Sequence, residues 1–195
     1  MNLLDLGCGE NKIPGAIGLD NVRLKDVDVV HDLLEFPYPF DNKIFDTIYL
    51  KHVIEHFKFS NINKIFNECS RLLVDNGNLV VTVPHVFSIA AFSDISHKSY
   101  FTFGSGYFWN KDHQKSYYDE IESIWVLKEI SCRLKWFDWK RPKLKKLDKF
   151  LSLIMQKRIN IALKRTYNPA LADRLVNKYS FQFVEINWNL QKFNS

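Results

Sequence analysis

The alternation of apolar and polar positions divides the chain into short buried runs separated by turns. NLLDLG at 2–7 is apolar except for Asn2 and Asp5 and closes on glycine, which predicts a buried strand. AIGLD at 16–20 and VDVVHDL at 27–33 predict a second and a third strand. FPYPFDNK at 36–43, with two prolines and an Asp-Asn pair, reads as loop. FDTIYLKHV at 45–53 predicts a fourth strand, and NLVVTVPH at 78–85 a fifth, ended by Pro84. Between them, INKIFNECSRLLV at 62–74 sets Ile62, Ile65, Phe66, Cys69, Leu72 and Leu73 at helical spacing, with Asn61 as cap and Asn76-Gly77 as stop. IWVLKEISCRLKWFDW at 124–139 holds a sixth strand with its flanks, and SFQFVEINWNLQKF at 180–193 alternates as a last one. Strands alternating with connecting segments predict an α/β fold, a parallel sheet with helices on its faces. The connections after the first and third strands are too short for full helices, so the N-terminal helices are reduced.

Two stretches depart from this pattern. Residues 86–118 are irregular and aromatic, with HKSYFTFGSGYFW at 97–109, and read as a lid or acceptor region over a site. There Tyr100, Phe101, Phe103, Tyr107, Phe108 and Trp109 either stack on a ligand or pack on the sheet. The segment 143–165 is basic, and Leu144, Leu147, Leu151, Ile154, Ile161 and Ala162 follow helical steps, which makes 140–165 a basic amphipathic insertion. Its charge changes the reading of the whole. Residues 133–165 hold twelve Lys or Arg against Asp138 and Asp148, a surplus of ten in a chain of net charge +5, so the remainder carries −5. A mildly acidic body with one basic segment points to a local anionic contact rather than to a nucleic-acid binder. That segment is a solvated helix, a membrane-surface contact with Phe150, Leu151 and Ile154 down, or a holder of a phosphate-bearing acceptor.

At 195 residues, 46% apolar, the chain 1–195 fits a single domain with a full core. No apolar run reaches membrane-span length and no signal-peptide pattern opens the sequence. Cys8, Cys69 and Cys132 are odd in number and far apart, which suits a reducing cytosol. The expected location is cytoplasmic, peripheral to a membrane if 140–165 touches lipid.

The chemistry gathers at the predicted strand ends. Asp5-Leu6-Gly7-Cys8-Gly9 follows the first strand, where two glycines let the backbone approach a ligand. The dinucleotide pattern GxGxxG fails at Lys12, and the GK[ST] of a phosphate loop is absent. Asp20 ends the second strand, where a carboxylate can accept both hydroxyls of a ribose. Asp32 closes the third and can accept from an adenine amino group while Leu33 packs on the ring. One such Asp is ordinarily a turn residue; three features on three successive strand ends converge on one crevice.

These residues carry a resemblance. LDLGCGENKIPGAIGLD, VVHDL, FPYPFDNKIFDTIYLKHVIEHF and RLLVDNGNLVVTVPH resemble the class I S-adenosylmethionine-dependent methyltransferases, and most closely the small type 11-like ones often associated with surface-glycan genes. The likeness is close over 2–85 and looser through SDISHKSYFTFGSGYF and the last strand. It implies a Rossmann-like seven-stranded sheet with an antiparallel last strand and S-adenosyl-L-methionine as cofactor. Asp5, Gly7 and Gly9 match the motif that meets the methionine part, Asp20 the ribose ligand, and Asp32 and Leu33 the adenine pocket. Leu50 to His52 match the stretch beside the reactive methyl. The chain departs from the family in starting at the first strand and in placing Pro14 and Gly15 where relatives carry a first helix. The cofactor's edge is then less covered, or is closed by the lid or by another subunit.

The implied reaction is in-line methyl transfer, with a hydroxyl of a saccharide or small metabolite as acceptor. An RNA or nucleotide methyltransferase and a catalytically silent cofactor-binding protein are the alternatives. A hydroxyl needs a base. His97 is the first candidate, with Asp94 three residues earlier to orient it, and His85 the second. Glu55 and His56 match a common family stretch and read as capping the next helix. A metal site from His85, Asp94 and His97 is weighed and set aside, because no HxH or HExxH pattern exists; no metal ligands are expected.

Overall fold

The computed structural model describes residues 1–112, 123–135, 145–166, 169–179 and 183–193. Leu3–Leu6 (β1), Ile17–Asp20 (β2), Val29–Val30 (β3), Phe45–Lys51 (β4), Leu73–Pro84 (β5), Trp125–Lys135 (β6) and Phe183–Lys192 (β7) form one seven-stranded sheet in the order β3-β2-β1-β4-β5-β7-β6. β7 runs antiparallel to β5 and to β6, and the remaining pairs are parallel. This is the expected mostly parallel α/β sheet with one reversed strand. No helix interrupts 7–16, 21–28 or 31–44, so the N-terminal crossovers are indeed reduced.

The register shows why these residues form one core. Leu4, Ile48, Leu79 and Leu190 lie side by side across the sheet, and Leu6, Leu50, Val81 and Trp188 form the next row. All eight are fully buried. Phe59–Leu72 (α1), Lys145–Thr166 (α3) and Pro169–Tyr179 (α4) add buried residues to the same core cluster, among them Phe66, Ile159 and Val176; Ile89–Ser93 (α2) is a single turn after β5. Phe66 of α1 meets Trp109 at 4.6 Å between ring centroids, and Trp109 in turn meets Trp188 at 6.2 Å. The opposite face carries half-buried Tyr49, Val80, Thr82, Asn187 and Asn189.

Several boundaries differ from the sequence reading. α1 begins at Phe59 with Lys58 as N-cap and no side-chain cap, so Asn61 lies inside the helix. It ends at Leu72 because Leu73 already pairs with Phe45 in β5; Asn76-Gly77 is an excursion within that strand, where the register shifts before Thr47 meets Asn78. The third strand shrinks to two residues. α4 went unnoticed in the sequence, although Pro169 at its first turn and the buried pair Ala172 and Val176 mark it.

On α3 the buried stripe is Met155, Ile159 and Leu163, whereas Leu153, Ile154 and Ile161 face outward. Rotation about the helix axis is set by polar contacts: Asn160 Oδ1 accepts the Cys132 N–H at 2.8 Å and Gln156 Oε1 the Leu134 N–H at 3.2 Å. Those bonds also cover the edge of β6, which would otherwise offer open donors. Residues 113–118 of the expected lid, 136–144 of the basic segment and 180–182 before β7 lie outside the described residues.

Gly106, in the 3₁₀ turn Phe103–Trp109, lies against the indole of Trp188, and a Cβ there would stand 2.7 Å from Cδ1 and Nε1. Because Trp188 is enclosed, Gly106→Ala is expected to cost about 1–3 kcal/mol through overpacking. A lower urea midpoint at unchanged m-value reads this out; a midpoint equal to wild type would mean that the indole yields freely.

Candidate functional site

The strand order reverses direction between β1 and β4, and an open α/β sheet forms its ligand crevice at the carboxyl ends there. Gly7, just past β1, has φ +67°, and a Cβ on it would stand 2.6 Å from Val53 Cγ2. Only glycine lets the turns after β1 and β4 touch in this way. The Gly7 N–H donates to Leu19 O at 2.7 Å, tying the loop to β2. Gly9 also has a positive φ, with open space where a side chain would project.

Carboxylates hold the loops that follow. Asp5 is 2% exposed and accepts the Ile13 N–H at 2.7 Å; burial raises its carboxyl above the usual range. Asp20 accepts the Gly9 N–H at 2.9 Å through Oδ2 and the Val22 N–H at 3.1 Å through Oδ1. Asp32 makes a turn by accepting the Leu34 N–H at 2.8 Å. Burial, with Asp5 and Asp20 nearby, pushes the Cys8 thiol up to about 11, so it stays protonated between the two glycines.

At the end of β4, His52 also sits at positive φ, +56°. Its Nε2 lies 3.0 Å from Glu185 Oε1 and its Nδ1 3.3 Å from Glu55 Oε1. The bond to Glu185 and then the contact with Glu55 push its pKa up to about 9, so the ring is an imidazolium at neutral pH.

Gly7, Asp20, Asp32, Leu33 and His52 all line one crevice of about 250 Å³. Asn21, Val53, His56 and Phe57 complete its wall. Asp5 and Gly9 stand behind it, as anchor of the loop and partner of Asp20. Two carboxylates on the wall, with no lysine or arginine among the described lining residues, disfavour a polyphosphate and suit a hydroxyl pair, an amino group or a cation. Asn21, Val53 and Phe57 escaped the sequence reading, since no spacing rule singles out the residues flanking a strand end.

The histidines expected to act as bases fare differently. His85 is fully enclosed; Nε2 bonds to Asp173 Oδ1 at 2.8 Å and Nδ1 accepts the Phe87 N–H at 3.1 Å. Both nitrogens are engaged, and the ring pins α4 to the end of β5, which leaves none to take a proton from an acceptor. His97 is half-buried, and its Nδ1 bonds to Ala91 O at 2.8 Å. Asp94 does not orient it: that carboxylate accepts from the backbone and hydroxyl of Ser96. The set His85, Asp94 and His97 is thus not assembled around one point. Glu55 and His56 do not cap α1 either; they lie in the 3₁₀ turn Ile54–His56, with Glu55 buried and His56 on the crevice wall. Phe101, Phe103 and Trp109 are core residues, as the packing alternative held, while Tyr100 is exposed and stacks on exposed Phe92 at 4.8 Å.

Comparison with known proteins agrees with this geometry. Residues 4–81, which contain every lining residue just named, match a family described as a methyltransferase domain. Three solved structures share the fold. One is a SAM-dependent methyltransferase from Archaeoglobus fulgidus, with a TM-score of 0.55, 14% identity, and coverage of 98% of this chain and 86% of that one. A candidate methyltransferase from Bacillus halodurans C-125 gives 0.56 and 16%, covering 99% and 93%. The plantazolicin methyltransferase BpumL, solved with a desmethyl substrate analogue and SAH, gives 0.54 and 16%, covering 100% and 77%. No curated protein matches the chain. No helix among the described residues is long and apolar enough to cross a membrane. The likeness to a methyltransferase domain thus rests on residues 4–81, and the solved structures share the fold over nearly the whole chain.

Proposed function

We propose that the crevice at the ends of β1 to β4 holds S-adenosylmethionine and that the methyl acceptor is a hydroxyl of a saccharide or related small metabolite. The convergence of Gly7, Asp20, Asp32, Leu33 and His52 on one cavity carries the reading. These residues fit the cofactor: the open space at Gly9 and the positive φ of Gly7 leave backbone unobstructed by side chains, and the carboxylates suit a ribose and a sulfonium. When bound, the cofactor supplies an electrophilic methyl group. Asp20 accepts the ribose hydroxyls, Leu33 packs on the adenine and Asp32 takes its amino group. Asp5 and Gly9 keep the loop in place. The chain's remaining task is to hold the acceptor in line and keep water away.

The acceptor side is formed by the segment after β5. His56 sits on the crevice wall, the His97 ring lies 4.9 Å from it between centroids, and the exposed pair Phe92 and Tyr100 flanks His97 in sequence. Stacked aromatics beside polar groups are a surface on which a sugar ring lies. The resemblance to glycan-associated methyltransferases points the same way.

A peripheral membrane contact through α3 is a second element of the reading. Leu153, Ile154 and Ile161 face outward among the exposed Lys157, Arg158 and Lys164. An apolar ridge inside a cationic face is the pattern of a helix lying on anionic lipid.

Calorimetry with S-adenosylhomocysteine tests the cofactor assignment. Asp20→Ala is expected to weaken binding by about tenfold or more, the loss of charge-assisted bonds to the ribose. Equal affinity in both proteins would remove the ribose role, and no binding by wild type would remove the cofactor site. Flotation with vesicles tests α3: retention on phosphatidylserine-containing but not neutral vesicles is expected, and reversal of Lys157 and Arg158 to Glu should abolish it. Identical behaviour on both lipid compositions would count against the contact.

A further inference from the structure

We propose that Glu55, His56 and His97 bind one divalent transition-metal ion at the mouth of the crevice. A donor atom from each lies within 4.8 Å of the other two, near enough to surround a single ion. Two imidazoles and one carboxylate suit metals of borderline softness such as zinc, cobalt or iron rather than magnesium or calcium.

Glu55 is the telling member. It is 1% exposed, and neither carboxylate oxygen accepts a hydrogen bond. Oε1 meets the His52 ring at 3.3 Å, a ring that bonds more closely to Glu185 at 3.0 Å, and Oε2 has no hydrogen-bond partner among the described residues. A buried carboxylate oxygen left this way is costly unless a further donor or cation completes it.

Each histidine has its Nδ1 engaged in a hydrogen bond, which leaves Nε2 as the nitrogen that could meet an ion. Ser96 Oγ–H donates to Asp94 Oδ1 at 2.6 Å, so the Ser96 oxygen accepts from His56 Nδ1–H at 2.9 Å and Nε2 carries the lone pair. Ala91 O can only accept, so His97 Nδ1 is the protonated nitrogen and its Nε2 is also bare. Orientation of a ligating ring by a second hydrogen bond at its other nitrogen is the usual support of metal sites. The two segments are stapled as well: Glu55 O accepts from Lys98 N at 2.7 Å and Ser99 N at 3.0 Å, and Ser99 Oγ–H donates to Phe57 O at 2.6 Å. The site is therefore built before any ion arrives.

His97 becomes a ligand in this arrangement instead of the base that its position in the sequence suggested. Three protein ligands leave positions open, and His56 lies on the wall of the cofactor crevice. Those positions take two oxygens of the acceptor, which narrows it to a vicinal diol or similar chelating pair; this role rests on the methyltransferase reading, whereas the metal site does not.

The test uses the full chain without a histidine tag, stripped with chelator and titrated with Co²⁺. One equivalent is expected, with visible ligand-field bands that Zn²⁺ abolishes. His56→Gln and His97→Gln should each weaken Co²⁺ binding about tenfold or more, and Ser96→Ala, an exposed change that removes the orienting bond of His56 together with the hydroxyl's bond to Asp94, should also weaken it by about tenfold. No binding by wild type, or binding undiminished in both histidine variants, would overturn the site. S-adenosylhomocysteine calorimetry on the stripped protein separates the two readings: retained affinity there, with no Co²⁺ binding, would reject the metal alone.

Discussion

The turn after β1 and the turn after β4 meet at Gly7 and Val53, and the site is organised around that contact. A single methyl group at Gly7 would fall 2.6 Å from Val53 Cγ2. With hydrogen there, the loop closes back on Leu19 O and brings the ends of β1, β2 and β4 round one space. Asp20 reaches Gly9 from the neighbouring strand, and Asp5 reaches Ile13 from below. Asp20, which lines the crevice, therefore also shapes the loop that bounds it, with Asp5 as a second anchor behind.

The buried core supports this. A row of fully buried residues crosses the sheet from Leu6 to Trp188, and α1, α3 and α4 add residues to the same core. The apolar layer runs through Phe66, Trp109 and Trp188, with Gly106 giving the indole its room. The second face alternates to half-buried positions that are mostly polar, Tyr49, Thr82, Asn187 and Asn189, with Val80 among them. His85 joins the layers at the site's edge by bonding Asp173 of α4 to the end of β5. Its burial shows how the residue type most often linked to proton transfer can serve as a structural pin.

Much of the fold was legible because strands announce themselves by local pattern. The runs at 2–7, 16–20, 45–53 and 78–85 correspond to β1, β2, β4 and β5 within a few residues, since alternation and turn residues act over short distances. Long-range pairing decided the rest. Leu73 left the helix because Phe45 was waiting for it across the sheet. The apolar spacing on α3 suggested Ile154 and Ile161, but Asn160 and Gln156 bonded to β6 and turned a mixed face inward. In the site, Gly7, Asp20, Asp32 and Leu33 were readable because each ends a strand, whereas the partners of His85 and His97 were not, because they come from distant or irregular segments.

By itself, the order of residues determined a parallel α/β sheet with glycine and carboxylates at its strand tips, because those features follow from neighbours in the chain. Only the tertiary structure decided how the helices met the sheet, which histidine was enclosed, and which came to stand beside a buried Glu55. Such outcomes depend on residues far apart in sequence competing for the same hydrogen bonds and the same space, and no local pattern records who wins.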